Sequence, residues 1–261
     1  MIGSYFGYVW RLLANFLYWM GGSALKRMDE ADYNDRLFAG GFRRRFHLAR
    51  FEWARQALIR SGAPCRRVVE LGCFDGRAIG FLPNRPEHYV GIDANWEGGL
   101  ELGQKRFENE DSFFFHYCRT PDVFREIVTG QTFDTAICLE TFEHVSPHLV
   151  DGYIEAFAEV TTHSFVVTVP NEKGLVFLAK YLIKHTFGET HPYRLSEILS
   201  ATLGRMDNIE RNDHKGFDYE NIVGSLRQCF QISEVSGYPF RLLPKSLGFG
   251  IGVLATTNEV V

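Results

Sequence analysis

The stretch Val68-Val69-Glu70-Leu71-Gly72-Cys73-Phe74-Asp75-Gly76-Arg77-Ala78-Ile79-Gly80 limits the possible folds more than any other part of the chain. Two β-branched residues run into Glu-Leu-Gly, and a tight turn follows with a second glycine. After it come small and apolar residues suited to opening a helix. Such a strand–loop–helix unit lets backbone approach a ligand closely, because glycine accepts left-handed φ and carries no side chain. The next apolar run, Tyr89-Val90-Gly91-Ile92-Asp93, ends in an acid 23 residues after Glu70. An acid at the tip of a second strand is placed to hold the two hydroxyls of a ribose. Loop and acid together imply a nucleoside-bearing cofactor.

The glycine spacing then separates the cofactor classes. Dinucleotide folds use Gly-x-Gly-x-x-Gly, with the pyrophosphate on a helix N-terminus. Here Gly72, Gly76 and Gly80 are spaced otherwise, and Phe74 stands where the middle glycine would be. The stretch instead resembles motif I of the class I S-adenosylmethionine (SAM) methyltransferases, an acid-x-Gly-x-Gly-x-Gly pattern that Glu70, Gly72 and Gly76 match and Phe74 breaks. Later segments follow in the order of that family. Phe133–Glu140 resembles the fourth strand, Ser164–Asn171 the fifth, and Gln231–Val235 and Phe249–Ala255 the sixth and seventh. The resemblance covers roughly residues 65–256, and Glu140-Thr-Phe-Glu143-His144-Val145 is most similar to ubiquinone-type small-molecule O-methyltransferases.

The resemblance implies an α/β fold: a Rossmann-like seven-stranded sheet, mostly parallel with an antiparallel last strand, preceded by a helical extension. Strands are expected near 67–71, 89–93, 113–117 and 133–138, with helices between. Ligands of such sheets sit at the carboxyl ends of the strands where strand order reverses. The SAM site is accordingly expected at Glu70, Gly72, Cys73, Gly76, Asp93, Ala94, Cys138, Leu139 and Glu140, with Asp93 on the ribose. Cys118 stands near the place of the adenine contact.

Transfer of a methyl group to a hydroxyl benefits from a base. His144 comes first by titration range and strand-end position, with His214 and His191 next. Glu140, Glu143 and His144 would share one face if a helix began there, and two carboxylates with an imidazole are divalent-ion ligands; metal is the less favoured reading. No Asn/Asp-Pro-Pro-aromatic motif follows the fourth strand, which argues against a nucleobase acceptor. Two rivals stand beside the enzyme reading. One is a non-catalytic SAM-binding partner subunit, and the other is a nicotinamide-dependent dehydrogenase that shares the Asp93 logic but lacks the glycines.

Charge is uneven along the chain. Residues 1–67 hold 12 Lys/Arg against 5 Asp/Glu, and residues 68–261 hold 16 against 27. An acidic catalytic domain argues against a nucleic-acid phosphate track, and a basic arm argues for an anionic neighbour. Residues 4–20 place Phe6, Val9, Trp10, Leu13, Phe16, Leu17 and Met20 on one helical face, too short a stretch to span a bilayer. With Lys26, Arg27 and Arg43–Arg45 downstream, this helix suits peripheral contact with an anionic membrane, and equally a lid or a homodimer contact. Six arginines between 43 and 60 read as a solvated face. Lys173, Lys180 and Lys184 share one side of an apolar stretch, Gly174–Phe187, that reads as a membrane-facing helix or a wall of the acceptor pocket. The domains expected are an arm, 1–64, and a methyltransferase domain, 65–261, with an acceptor-site insert at about 172–220. The acceptor is expected to be a hydrophobic or lipid-linked small molecule such as a quinone precursor, polyprenyl-linked sugar or glycolipid. A soluble sugar or secondary metabolite is the runner-up. Five cysteines without paired spacing read as reduced thiols of a cytoplasmic protein, working at the inner membrane face.

Overall fold

The computed structural model describes residues 42–186, 193–212 and 214–257. The expected helix over 4–20 and the candidate base His191 lie outside them. The chain divides into Met1–Leu48 and Ala49–Val261, and the sheet belongs to the second unit. Seven strands run in the order β3-β2-β1-β4-β5-β7-β6. They are β1 (Arg67–Leu71), β2 (His88–Asp93), β3 (Phe113–Tyr117), β4 (Phe133–Leu139), β5 (Thr161–Pro170), β6 (Gln231–Tyr238) and β7 (Gly250–Thr256). β1 to β5 are mutually parallel, and β7 runs antiparallel between β5 and β6. This is the expected sheet.

Among the described residues, seven α-helices accompany the strands: α1 (Phe42–Ser61), α2 (Gly99–Arg106), α3 (Pro121–Val128), α4 (Pro147–Val160), α5 (Gly174–Thr186), α6 (Leu195–Thr202) and α7 (Tyr219–Cys229). Their starts follow from local chemistry. Thr120 accepts the Val123 N–H ahead of Pro121, and Asp218 accepts the Glu220 N–H at 2.9 Å. The central strands are apolar on both faces because helices cover both. On one face Val69, Val90, Ala136, Phe165 and Val253 pack with Phe124, Tyr153, Phe157 and Leu226 of α3, α4 and α7. On the other, Trp53 of α1 lies over Gly252 of β7, where any Cβ would overlap the indole, and its Nε1 donates to Ser236 Oγ at 3.0 Å.

Two local expectations need correction. No α-helix opens after Gly76. Residues Arg77–Phe81 make a single 3-10 turn, and Pro83 and Pro86, which lack N–H donors, stop it from propagating. Nor does a helix begin at Glu140. That residue has φ +53°, a turn follows, and α4 starts only at Pro147. Glu140, Glu143 and His144 are therefore not carried on one helical face, although Glu143 Oε1 and His144 Nε2 still come within 4.0 Å of each other.

Candidate active site

The strand order reverses at β1, which is flanked by β2 on one side and β4 on the other. The loops leaving their carboxyl ends bound one crevice. On the β1 side, the Gly72 and Cys73 N–H groups both donate to Ile92 O, at 2.7 and 3.2 Å, which ties the loop to β2. Gly72 has φ +77° and lies under Thr141. Gly76 has φ +70°, and a Cβ there would meet Phe107 and Phe115 at 2.9 Å. Both positions thus demand glycine for conformation and for space. Phe74, at φ +48°, adopts the left-handed backbone of the glycine it replaces. Its ring lies against Gly99, with the Arg77 guanidinium 5.0 Å from its centroid.

Asp93, at the tip of β2, joins the two loops. Its Oδ2 accepts the Phe74 N–H at 2.9 Å and its Oδ1 the Asn95 N–H at 2.6 Å. The carboxylate is half-buried and stands beside Ala94, which is also half-buried. Glu70 is fully buried and accepts Tyr89 OH at 2.6 Å, and burial pushes its carboxyl up to about 8 against the pull of that hydrogen bond. Cys73 and Cys138 are buried thiols that burial pushes well above the usual range, and Leu139 is buried beside them. Cys73, Cys138 and Leu139 can therefore offer a ligand backbone, not side chains. Cys118 turns its sulfur to Thr120 O at 3.1 Å and towards Tyr153.

On the β4 side the chemistry is less settled. Tyr238 OH donates to Glu140 Oε1. Glu143 is buried, and neither of its carboxylate oxygens has a hydrogen-bond partner. Burial first, and the charge of Glu140 second, hold this carboxyl well above its usual range, while Arg50 acts the other way. Arg50, read from sequence as part of a solvated face, has a buried Nε, and its charge also bears on Glu70 and Tyr238. Composition gives no sign of this, since six arginines crowd residues 43–60.

His144 and His214 meet edge to face, with ring centroids 4.7 Å apart, and Trp96 approaches His144 at 6.2 Å. Arg211 brings them together by donating to Phe142 O and Val145 O at 3.1 and 3.2 Å. Glu143, His144 and His214 offer ligand atoms within 4.8 Å of one another. A buried carboxylate without a hydrogen-bond partner, 4.0 Å from His144 Nε2 and near a second imidazole, fits the donor set of a divalent ion. Trp96, largely exposed at the mouth, follows Asp93 too closely for sequence spacing to give it a separate role.

Beyond β5, the start of the insert turns lysines inward and α5 leaves apolar side chains exposed. Lys173 pairs with Asp218 at 2.7 Å and Lys180 with Glu172 at 3.3 Å, both largely buried, while Leu175 is exposed. Phe177 of α5 packs with Ala201, Met206 and Ile209, which joins α6 to this insert.

No protein-family model matches the chain. A ubiquinone biosynthesis O-methyltransferase of Hahella chejuensis is 28% identical over 141 residues, 52% of this chain, and the match spans 58% of that relative's length. Among solved structures, a SAM-dependent methyltransferase of Clostridium acetobutylicum has a TM-score of 0.58 at 11% identity, over 87% of this chain and 96% of that one. The N-methyltransferase NodS of Bradyrhizobium japonicum, in complex with S-adenosyl-homocysteine (SAH), gives 0.55 at 12%, over 86% and 91%. The magnesium protoporphyrin IX methyltransferase of Synechocystis with bound SAH gives 0.54 at 15%, over 85% and 92%. At such identities the likeness is one of fold. Strand order, glycine loop and strand-tip carboxylate agree with it, and the chain has the class I SAM-dependent methyltransferase fold.

Proposed function

We propose that the protein is a SAM-dependent small-molecule methyltransferase acting on a hydroxyl of a hydrophobic or lipid-linked acceptor at a membrane surface. The observation that carries the cofactor assignment is Asp93 at the tip of β2, hydrogen-bonded to the Phe74 N–H of the glycine loop. When bound, SAM supplies an electrophilic methyl group and leaves as SAH. Asp93 accepts from the ribose hydroxyls, and the backbone from Gly72 to Gly76 borders the methionine portion. Arg50, half-buried with an enclosed Nε, is the cation suited to a carboxylate. The chain's main work is positioning, since holding two reactants in line turns a bimolecular step into an effectively unimolecular one. His144, at the mouth beside Trp96, takes the acceptor's hydroxyl proton, with His214 beside it to share the charge.

Calorimetric titration with SAM and SAH tests this reading. Wild type binds at micromolar Kd, and Asp93→Ala weakens binding by roughly 30-fold, about 2 kcal/mol. Wild type that binds neither ligand refutes it. Binding without turnover on any lipid-extract acceptor points instead to a SAM-binding subunit. A second reading of the β4 side, favoured by the unpartnered Glu143 carboxylate, seats a divalent ion on Glu143, His144 and His214. Such an ion would polarise the acceptor oxygen and lower its pKa. Calorimetry with Mg2+ and Zn2+ on wild type and Glu143→Gln separates the two, because only ion binding is lost in the variant.

A further inference from the structure

The connection between β6 and β7 carries an apolar tip that the core does not use. Leu242 is 96% exposed, Phe240 63%, and Leu243 and Leu247 46% each. Large apolar side chains so exposed and so close together mark a contact surface. The tip's backbone is already closed on itself. Leu243 N–H donates to Phe240 O at 3.0 Å, Leu247 N–H to Pro244 O at 2.8 Å and Gly248 N–H to Lys245 O at 3.0 Å. It can therefore enter an apolar medium without exposing those donors.

Residues 239–249 contain Arg241 and Lys245 and no acid. Arg241 and Arg60 share a single acid, Glu234, at 2.6 and 2.9 Å, which leaves an excess of positive charge at the base of the tip. Lys245, with a half-exposed side chain, lies 3.9 Å from Glu220, at the outer reach of an ion pair. A second copy in a two-fold contact would bring these cations against their own images. A protruding, cation-flanked tip instead suits a soft anionic surface, which admits apolar side chains without needing a matching pocket.

The tip is also tied to the acceptor side of the crevice. Asn171, at the end of β5, donates through Nδ2 to Gly248 O at 2.9 Å, and Tyr238, before the tip, donates to Glu140. We propose that residues 240–247 form an insertion loop that docks the acceptor side of the crevice on an anionic lipid bilayer. This deepens the lipid-linked acceptor reading and rests on it, but it is measured by lipid binding rather than by methyl transfer.

The experiment is flotation of the full chain with vesicles of phosphatidylcholine alone and of phosphatidylcholine with an equimolar share of phosphatidylglycerol. Wild type is expected to float with the anionic vesicles. Leu242→Glu, at a position too exposed to disturb folding, is expected to lower that partition about tenfold. Lys245→Glu is expected to lower it about fivefold on anionic vesicles only. Melting temperature and SAM affinity stay at wild-type values in both variants. The indole introduced by Leu242→Trp is expected to be quenched by lipids brominated in their acyl chains. Three results overturn the proposal: wild type that ignores both vesicle types, Leu242→Glu that floats like wild type, and an indole that stays unquenched. A wild-type dimer that Leu242→Glu dissolves to monomer without any vesicle binding also overturns it, in favour of a second copy. Loss of SAM binding with flotation retained refutes the methyltransferase reading instead, so the two failures are distinguishable.

Discussion

Around the ends of β1 and β2, polar groups meet one another: Asp93 takes two N–H groups, Glu70 takes Tyr89, and two loop N–H groups share Ile92 O. Around the end of β4, a buried carboxylate has no hydrogen-bond partner, two histidines stand ring to ring, and a nearby hairpin presents bare leucines. The first region is formed before any ligand arrives. The second leaves a polar group in want of one, and an unsatisfied buried group costs about 1–3 kcal/mol. The contrast teaches where each kind of damage should appear. Changes at β1 and β2 should show in stability and cofactor affinity, and changes at β4 in turnover.

The sharpest attempt to break that division is Gly72→Ala. A non-glycine residue at φ +77° beneath Thr141 meets both backbone strain and steric overlap. Thermal and denaturant unfolding should show a loss of about 4 kcal/mol, and SAM binding should disappear. A variant that melts like wild type would mean that the loop is not the rigid part.

Next comes the pH response of Glu70, whose carboxyl stands at about 8 when folded against 4.5 otherwise. A raised carboxyl binds its proton more tightly in the folded state. Its contribution is complete below 4.5 and is lost as pH rises through about 8. Glu70→Gln should flatten the fall in stability across that window, as read by denaturant midpoints.

On the other side, His144→Ala should lower kcat about 100-fold while leaving the Kd for SAH unchanged. An equal loss in cofactor affinity would dissolve the distinction between the regions. The smallest effect is expected from Arg211→Met. Removing its two hydrogen bonds to Phe142 O and Val145 O frees the His214 turn. Turnover should fall about tenfold, with melting temperature and SAH affinity little changed.

The same contrast explains what could be read from the chain alone. Seven strands were legible because each is a short apolar run bounded by turn residues, and a central parallel sheet needs such runs. Gly72, Gly76 and Asp93 were legible because backbone geometry fixes their spacing. Arg50 was not, since its neighbours Arg43–Arg45, Arg55 and Arg60 look the same in sequence. The inward turn of Lys173 and Lys180 was not legible for a related reason: periodicity gives the faces of a helix but not which face meets Asp218 and Glu172. His144 and His214 lie 70 residues apart, and the Arg211 clip on Phe142 O and Val145 O helps to bring them together. The helix expected after Gly76 does not form because Pro83 and Pro86 follow the Arg77–Phe81 turn and cannot continue it. Glu143 was placed on a helix face because the left-handed turn at Glu140 leaves no mark in residue type.

The contact between Phe74 and Gly99 has a historical consequence. Position 99 can carry nothing larger than hydrogen while an aromatic ring occupies the space above it. Position 74 holds that ring in a backbone shape that favours glycine. A lineage that changed residue 74 to glycine would relax its backbone and, in the same step, release residue 99 to accept alanine. A lineage that tried the two changes in the opposite order would first pass through a collision. The present pair thus sets a direction on the substitutions open to this loop, and the order of events is built into the packing of one ring on one glycine.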